Sequence, residues 1–256
     1  MKAVLESTVT GRGTDVVVLH GAPQDPSDLN TLSERLASVH RVHGLAMPGY
    51  GGSCLPVAFD WARASDAIAA YTHANCSRPW LVGMSAGGYR ALRVAAQGIE
   101  VRGVCAIAGF AHMPASMRDG LLQSAAALES GADLSAALIG GWFSESFSTS
   151  HSARCAEVVG RCLSAAKPSV VAADLRALAD APDLRDDLSS VHAPIHLLTG
   201  ALDAAAPVEL ARAAENSAPN ATLTVLGGAG HMVHHEQFDA VYEWLSQSMD
   251  PREETS

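Results

Sequence analysis

Trp80-Leu81-Val82-Gly83-Met84-Ser85-Ala86-Gly87-Gly88 is the stretch that decides the fold, because an apolar run ends there in Gly-x-Ser-x-Gly and a helical pattern begins. The pattern predicts a strand that turns sharply into a helix and exposes Ser85 at the turn. Glycine at 83 and 87 meets the demand of a strained turn where backbone segments approach closely. The N-terminus of the helix favours an anion beside the Ser85 oxygen. Ser85 is therefore the candidate nucleophile, and a Gly/Ser turn without chemistry is the alternative.

Strand and helix patterns alternate on both sides of this turn. Five more short apolar or β-branched runs predict strands, and most are followed by a helical pattern of ten or more residues. Such an alternation is typical of an α/β fold with a mostly parallel, doubly wound sheet. The predicted strands are 15–20, 41–45, 80–83, 101–107, 195–199 and 222–226, and the predicted helices are 27–38, 60–74, 86–97, 207–216 and 234–249.

The alternation stops between residues 111 and 190, where helical patterns occur without a convincing strand. A structureless loop of that length is improbable inside a compact domain, so this stretch is expected to be an inserted helical cap. The core that contains the sheet would then comprise residues 1–110 and 191–256. Its predicted helices are 116–130, 133–139, 152–166 and 169–179, with breaks at Gly140, Gly141 and Pro168.

A serine hydroxyl needs a histidine base and an acid that orients the histidine. His231 follows the last predicted strand on a glycine-rich loop, where open parallel sheets place their sites. His234 and His235 are its competitors for that role. The acid is assigned to Asp203, just past the strand 195–199, although an Asp capping the next turn is the alternative. The three histidines also suggest a metal cluster, but no carboxylate-rich or Cys-rich motif accompanies them, so no metal is expected.

Acyl transfer also needs hydrogen-bond donors for the developing oxyanion. The loop His20-Gly21-Ala22-Pro23 follows the strand 15–20 and could face Ser85. Pro23 has no N–H, so the expected donors are the backbone amides of Ala22 and Ala86. His20 is expected to hold this loop, with contact to substrate as the alternative. The cap offers apolar side chains for a substrate pocket or for its own packing, namely Met113, Met117, Trp142, Phe143 and Phe147.

Composition excludes several classes of protein. The chain has 27 Asp+Glu against 17 Lys+Arg, a net charge of -10, and no basic run that could neutralise a row of phosphates, so nucleic acid is not an expected partner. No segment has the length of a membrane span or a signal h-region, which predicts a cytoplasmic protein without a membrane partner. Five cysteines without a Cys-x-x-Cys pair argue against a disulfide framework.

The ordered motifs resemble those of the alpha/beta-hydrolase fold family, in its Ser-His-Asp branch. They are His20-Gly21, the run 48–53 (Pro-Gly-Tyr-Gly-Gly-Ser), the turn around Ser85, the run 200–207 around Asp203, and Gly230-His231 followed by Glu236. The resemblance implies a central sheet, a helical cap and a mechanism that uses Ser85, His231 and Asp203. Many relatives have Asp where this chain has Ala46, which puts the support of that loop in question. The cap from Trp142 to Leu175 looks somewhat like that of 3-oxoadipate enol-lactonases.

These features together predict a cofactor-independent serine hydrolase that cleaves a small carboxylic ester or lactone. Thioesterase, carbon–carbon bond hydrolase and cofactor-free perhydrolase activities use the same residues and are alternatives within enzymes. A ligand-binding sensor without turnover is the alternative from another class. The expected partners are a small-molecule ester or lactone and, at most, a second copy of the chain in a homodimer.

Overall fold

The computed structural model describes residues 5–54 and 60–250. Within them the chain forms one seven-stranded sheet in the order β1-β3-β2-β4-β5-β6-β7. The β1–β3 pair is antiparallel, and all other neighbouring pairs are parallel, which confirms the expected mostly parallel sheet. The strands are β1 (Ser7–Gly11), β2 (Thr14–Leu19), β3 (His40–Leu45), β4 (Trp80–Met84), β5 (Gly103–Ile107), β6 (Ile195–Gly200) and β7 (Ala221–Leu226).

Helices flank the sheet, and several short helices lie in the connections between the longer elements. A 3-10 turn at Pro26–Leu29 precedes the first of them. The helices are α1 (Asn30–Leu36), α2 (Trp61–Asn75), α3 (Ala86–Ala96), α4 (Ala115–Glu129), α5 (Ser135–Trp142), α6 (Glu145–Ser150), α7 (Ser152–Ser164), α8 (Pro168–Ala179), α9 (Arg185–Leu188), α10 (Val208–Ser217), α11 (Val233–Glu236) and α12 (Phe238–Ser248).

The side chains of β2 show why the sheet is covered on both faces. Val17 and Leu19 belong to the apolar cluster that includes buried residues of α2, α3 and α10. Val16 and Val18 belong to the cluster on the other face, which includes residues of α1 and α12. Because successive side chains of a strand point to opposite faces, a run of buried β-branched residues requires helices on both sides.

Residues 115–188, from α4 to α9, lie between β5 and β6 and are called the helical segment below. Helices α4 and α8 pack together there, and Ala125 joins Val171, Ala172 and Leu175 in a small apolar cluster. The limits 111–190 of the expected cap remain a prediction. Among the described residues, no helix combines the length and apolar character needed to cross a membrane.

Two local features differ from the sequence expectations. Strand β1 was not expected, because Val9 is its only large apolar residue and the strand is mostly exposed on the edge of the sheet. Gly140 and Gly141 were expected to break the helix, but α5 continues through them to Trp142. Relative to alanine, a glycine lowers the stability of a helix by only about 1 kcal/mol. Packing of the neighbouring residues is enough to overcome this loss. The break expected at Pro168 is present between α7 and α8, and Pro168 is the first residue of α8, a position that tolerates the missing N–H.

Candidate active site

Ser85 occupies the turn between β4 and α3 with a strained backbone, at φ 53° and ψ -118°. Its amide donates to the Ile107 carbonyl of β5 over 2.8 Å, which ties the turn to the sheet. A Cβ on Gly83 would overlap the carbonyl of Gly87, and a Cβ on Gly87 would overlap that of Leu19. Only glycine fits at these two positions, so the sequence produces the strained turn that presents Ser85.

His231 and Asp203 are joined by hydrogen bonds at the carboxyl end of the sheet. His231 Nδ1 lies 3.0 and 2.9 Å from the two carboxylate oxygens of Asp203, and both residues are buried. The Asp203 carboxylate also accepts from the amides of Ala205 and Ala206, at 3.0 and 2.7 Å. A carboxylate only accepts, so Nδ1 carries the proton and Nε2 of the neutral ring keeps its lone pair. Asp203 therefore caps its own turn and also holds the His231 ring.

The loop that carries His231 is anchored to the helical segment. Met232 N donates to the Trp142 carbonyl over 2.8 Å. Glu236 accepts from Gly230 N at 3.0 Å and from Ser144 N at 3.0 Å, so one carboxylate holds both chain segments. These bonds tie the residues on both sides of His231 to the helical segment.

Ser85 and His231 line one cavity of about 280 Å³, which lies between the sheet and the helical segment. The expected pocket residues Met113, Met117 and Trp142 also line it. Most of its wall comes from residues that the sequence analysis did not select. They are mainly aliphatic and come from several helices, including Leu121, Leu128, Leu134, Leu138, Leu175 and Leu178. Their recurrence on amphipathic helices was the available signal, but core leucines have the same pattern.

Phe143, Phe147 and His20 are not among the residues that line this cavity, so the structure does not support them as substrate-pocket residues. Phe143 stacks on Phe147 with ring centroids 5.8 Å apart, and Phe147 stacks on His151. These rings pack against the apolar cluster that contains α12. The aromatic residue type alone did not distinguish internal packing from a place in the cavity.

His20 supports two loops instead. Its Nδ1 lies 2.8 Å from the Gly21 carbonyl, which can only accept, and its Nε2 accepts from Met47 N over 2.9 Å. These two bonds assign the neutral ring protonated at Nδ1. The Met47 loop is held further by Ser53, whose hydroxyl donates to the Ala46 carbonyl over 2.7 Å. The loop is therefore supported without an Asp at position 46.

The two expected oxyanion donors lie beside Ser85. Ala86 is the first residue of α3, and Ala22 lines the large cavity. A Cβ built on Gly21 would come within 3.2 Å of Ser85 Cβ, so the loop before Pro23 runs directly against the serine. A second, small cavity of about 10 Å³ is lined by Gly21, Ala22, Ser85 and His231, among others. That volume is close to the size of one water or one oxygen atom.

Two buried histidines near this site should make stability depend on pH. Burial, followed by the Arg90 charge, lowers the pKa of His20 to about 3, and burial with the neighbouring His235 lowers the pKa of His234 to about 4. The unfolded chain takes up these protons near pH 6.5, so it binds more protons than the folded chain and stability falls as pH falls. Between pH 7.5 and 5.5 we expect the free energy of unfolding to fall by about 2–3 kcal/mol, measured by urea denaturation. Equal stability at both pH values would contradict this assignment.

Two groups of potential metal ligands occur in the described part of the chain: Asp15, His43 and Cys76, and Asp28, His234 and His235. No carboxylate-rich motif adjoins His234 and His235 in the sequence, but Asp28 supplies a carboxylate from more than 200 residues away. The first group is hydrogen bonded within the protein, since His43 contacts Asp15 at 3.1 Å and Tyr71 at 3.0 Å.

Comparison with known proteins agrees with this geometry. A profile described as the alpha/beta hydrolase family matches residues 16–244. The chain belongs to this family. It is 29% identical over 246 residues to a 2-succinyl-6-hydroxy-2,4-cyclohexadiene-1-carboxylate synthase from Salmonella arizonae, covering 91% of this chain and 92% of the relative.

Solved structures are also similar to this chain. A thermophilic esterase from Thermogutta terrifontis superposes with a TM-score of 0.86 and 25% identity, covering 96% of this chain and 92% of the esterase. The enol-lactonase from Burkholderia xenovorans gives a TM-score of 0.83 at 19% identity and covers 95% of each chain, which shows a shared fold. Solved structures with this fold therefore carry different named activities.

Proposed function

We propose that this alpha/beta hydrolase cleaves a small carboxylic ester or lactone with an apolar acyl part, through an acyl-enzyme on Ser85. One observation carries the proposal. Ser85, at its strained turn, and His231, oriented by Asp203, line the same mostly aliphatic cavity. A nucleophile, its base and an apolar acyl site are what ester cleavage requires.

The proposed reaction has two halves. In the first, His231 Nε2 takes the Ser85 hydroxyl proton while Oγ attacks the ester carbonyl, and the proton then passes to the leaving alcohol. In the second, His231 deprotonates a water that attacks the acyl-enzyme, and the acid and free Ser85 are released. In this proposal the amides of Ala22 and Ala86 donate to the oxyanion in both halves.

The character of the cavity favours a neutral ester over the product named for the Salmonella relative. That name includes a carboxylate and a succinyl group. The described residues that line the cavity here include no lysine or arginine, and most are Ala, Leu, Met or Gly. Without a cation, moving a charged carboxylate into this cavity would be costly.

The experiment is turnover of p-nitrophenyl esters with acyl chains from acetate to dodecanoate. A cavity of about 280 Å³ holds roughly nine water-sized groups, so we expect kcat/KM to rise with acyl length and to fall beyond roughly nine heavy atoms. A burst of nitrophenol equal to the enzyme concentration would report the acyl-enzyme. No turnover with any ester, together with formation of the synthase product, would replace this proposal with a synthase activity.

Gly141 offers a direct test of the cavity as the acyl site. It lines the cavity, and a Cβ there meets no atom within 4 Å. Gly141→Leu should fill space that longer acyl chains need, at about 0.8 kcal/mol for each excluded methylene. We expect kcat/KM for octanoate to fall roughly tenfold or more, while acetate stays within about threefold.

Gly140→Leu is the matched control for this substitution. Gly140 is the adjacent residue in α5, is exposed and also has open space at its Cβ, but it does not line the cavity. The control should keep the wild-type preference for acyl length. Equal profiles for Gly141→Leu and Gly140→Leu would place the acyl chain elsewhere.

A further inference from the structure

Asp28 is a buried carboxylate that accepts hydrogen bonds from four side chains. It takes no direct part in the proposed reaction. It lies in the 3-10 turn Pro26–Leu29, and its side chain is fully buried. Oδ2 accepts from Gln24 Nε2 at 2.8 Å and from His234 Nε2 at 3.2 Å. Oδ1 accepts from His235 Nε2 at 2.9 Å and from Arg161 at 2.7 Å.

The first of these bonds leads to the loop His20-Gly21-Ala22-Pro23, which is called the oxyanion loop below because it carries the expected donor Ala22. Gln24, held by Asp28 through its amide nitrogen, accepts the Gly21 N–H on its Oε1 at 2.5 Å. Gly21 is the residue that runs against Ser85 Cβ, and Ala22 follows it. Asp28 is therefore connected to the proposed oxyanion donor at Ala22 through the Gln24 side chain and the backbone of Gly21.

The other bonds lead to the base and to the helical segment. His234 and His235 belong to α11, which begins two residues after His231. Arg161 belongs to α7, in the helical segment. One carboxylate thus contacts three separate parts of the chain around the site.

The charges show that the cluster is arranged around an ionised Asp28. Burial opposes ionisation, yet the hydrogen bonds from His234 and His235 hold the pKa of the Asp28 carboxyl well below its usual range. His234 stays neutral with its proton on Nε2, since its buried Nδ1 has no hydrogen-bond partner. Each carboxylate oxygen of Asp28 accepts from two donors. If asparagine replaced Asp28, its NH₂ group would therefore face two donors whichever way the amide is turned.

We propose that Asp28 is a positioning residue of the active site, which holds the oxyanion loop through Gln24 and the His231 loop through His234 and His235. This inference rests on the proposed function, because the two loops matter together only if Ser85 is acylated. Since Asp28 does not line the cavity, its loss should act on kcat and not on substrate binding.

The test compares Asp28→Asn with the matched control Asp25→Asn. Asp25 caps the same 3-10 turn through a bond to Ser27 N, and Asn caps equally well, so the control removes a neighbouring charge without opening the cluster. We expect Asp28→Asn to lower kcat about 10–100-fold with KM within about twofold, because displacing an oxyanion donor should cost less than removing it, which costs about 10²–10³-fold. Hydrogen–deuterium exchange should rise at residues 20–24 in Asp28→Asn and stay at the wild-type rate in Asp25→Asn.

Gln24→Leu separates positioning from a general loss of stability. It interrupts the path from Asp28 to Gly21 without leaving an ion uncompensated, so it should fold even if Asp28→Asn does not. We expect it to lower kcat with KM unchanged, and the double variant to lose less than the product of the two single losses. Wild-type kcat in folded Asp28→Asn, or in Gln24→Leu where Asp28→Asn does not fold, would overturn the inference. Absence of ester turnover in the wild type would instead contradict the proposed function.

Discussion

Ser85→Ala should reduce kcat for the best ester by roughly 10⁴–10⁶-fold while the protein stays folded. The reason is chemical, since alanine occupies the same strained turn but has no oxygen to form the acyl-enzyme. Binding and the oxyanion donors remain, so a small rate above the uncatalysed reaction is also expected. Steady-state and burst kinetics measure the loss, and the burst should disappear entirely.

Ser246→Ala is the matched control for this experiment. Ser246 is an exposed serine of α12, and its hydroxyl donates only to the Tyr242 carbonyl one turn earlier. It should leave kcat and KM at their wild-type values. Ester turnover by Ser85→Ala within a few-fold of the wild type would remove Ser85 as the nucleophile.

Asp174→Asn should produce the largest loss of stability, about 3–5 kcal/mol, because it leaves a buried arginine without its counter-charge. Asp174 of α8 and Arg90 of α3 form an ion pair at 2.6 Å, and both side chains are almost fully buried. Tyr50 OH also donates to Asp174 over 3.1 Å, and the Arg90 guanidinium lies 4.6 Å from the Trp61 ring. For a chain of this length Tm should fall by roughly 6–20 °C, measured by calorimetry.

Two further variants show whether the effect comes from the uncompensated charge. Glu129→Gln removes the partner of Arg176 in an exposed ion pair that also joins α4 to α8, and it should leave Tm almost unchanged. The double variant Arg90→Met with Asp174→Leu removes both buried charges and should regain most of the lost stability. An equal loss in the single and double variants would mean that packing, and not charge, explains the effect.

The buried strands and the turn at Ser85 could be predicted because their signals are local. Short apolar or β-branched runs predict β2 to β7, and the Gly-x-Ser-x-Gly string marks the turn, although the backbone that excludes a Cβ on Gly87 belongs to Leu19 and His20. Asp203 could be matched to His231 because both follow strands at the same edge of the sheet. Strand β1 gave no such signal, since an exposed edge strand has no buried apolar face.

The residues that sequence reasoning missed depend on contacts between distant parts of the chain. Asp28 meets His234 across 206 positions, and Arg90 meets Asp174 across 84. Each looks like an ordinary charged residue in its own helix or turn. The aliphatic wall of the cavity was missed for another reason, since a leucine that lines a cavity and one that fills a core have the same spacing.

The most direct measurement is labelling of the protein with a fluorophosphonate, followed by peptide mass spectrometry. If Ser85 is an activated nucleophile oriented toward His231, the wild type should take up one phosphonyl group on Ser85. Ser85→Ala and His231→Ala should take up none at this position. Failure of the folded wild type to label, or labelling of another residue that persists in Ser85→Ala, would contradict the proposed acyl-enzyme.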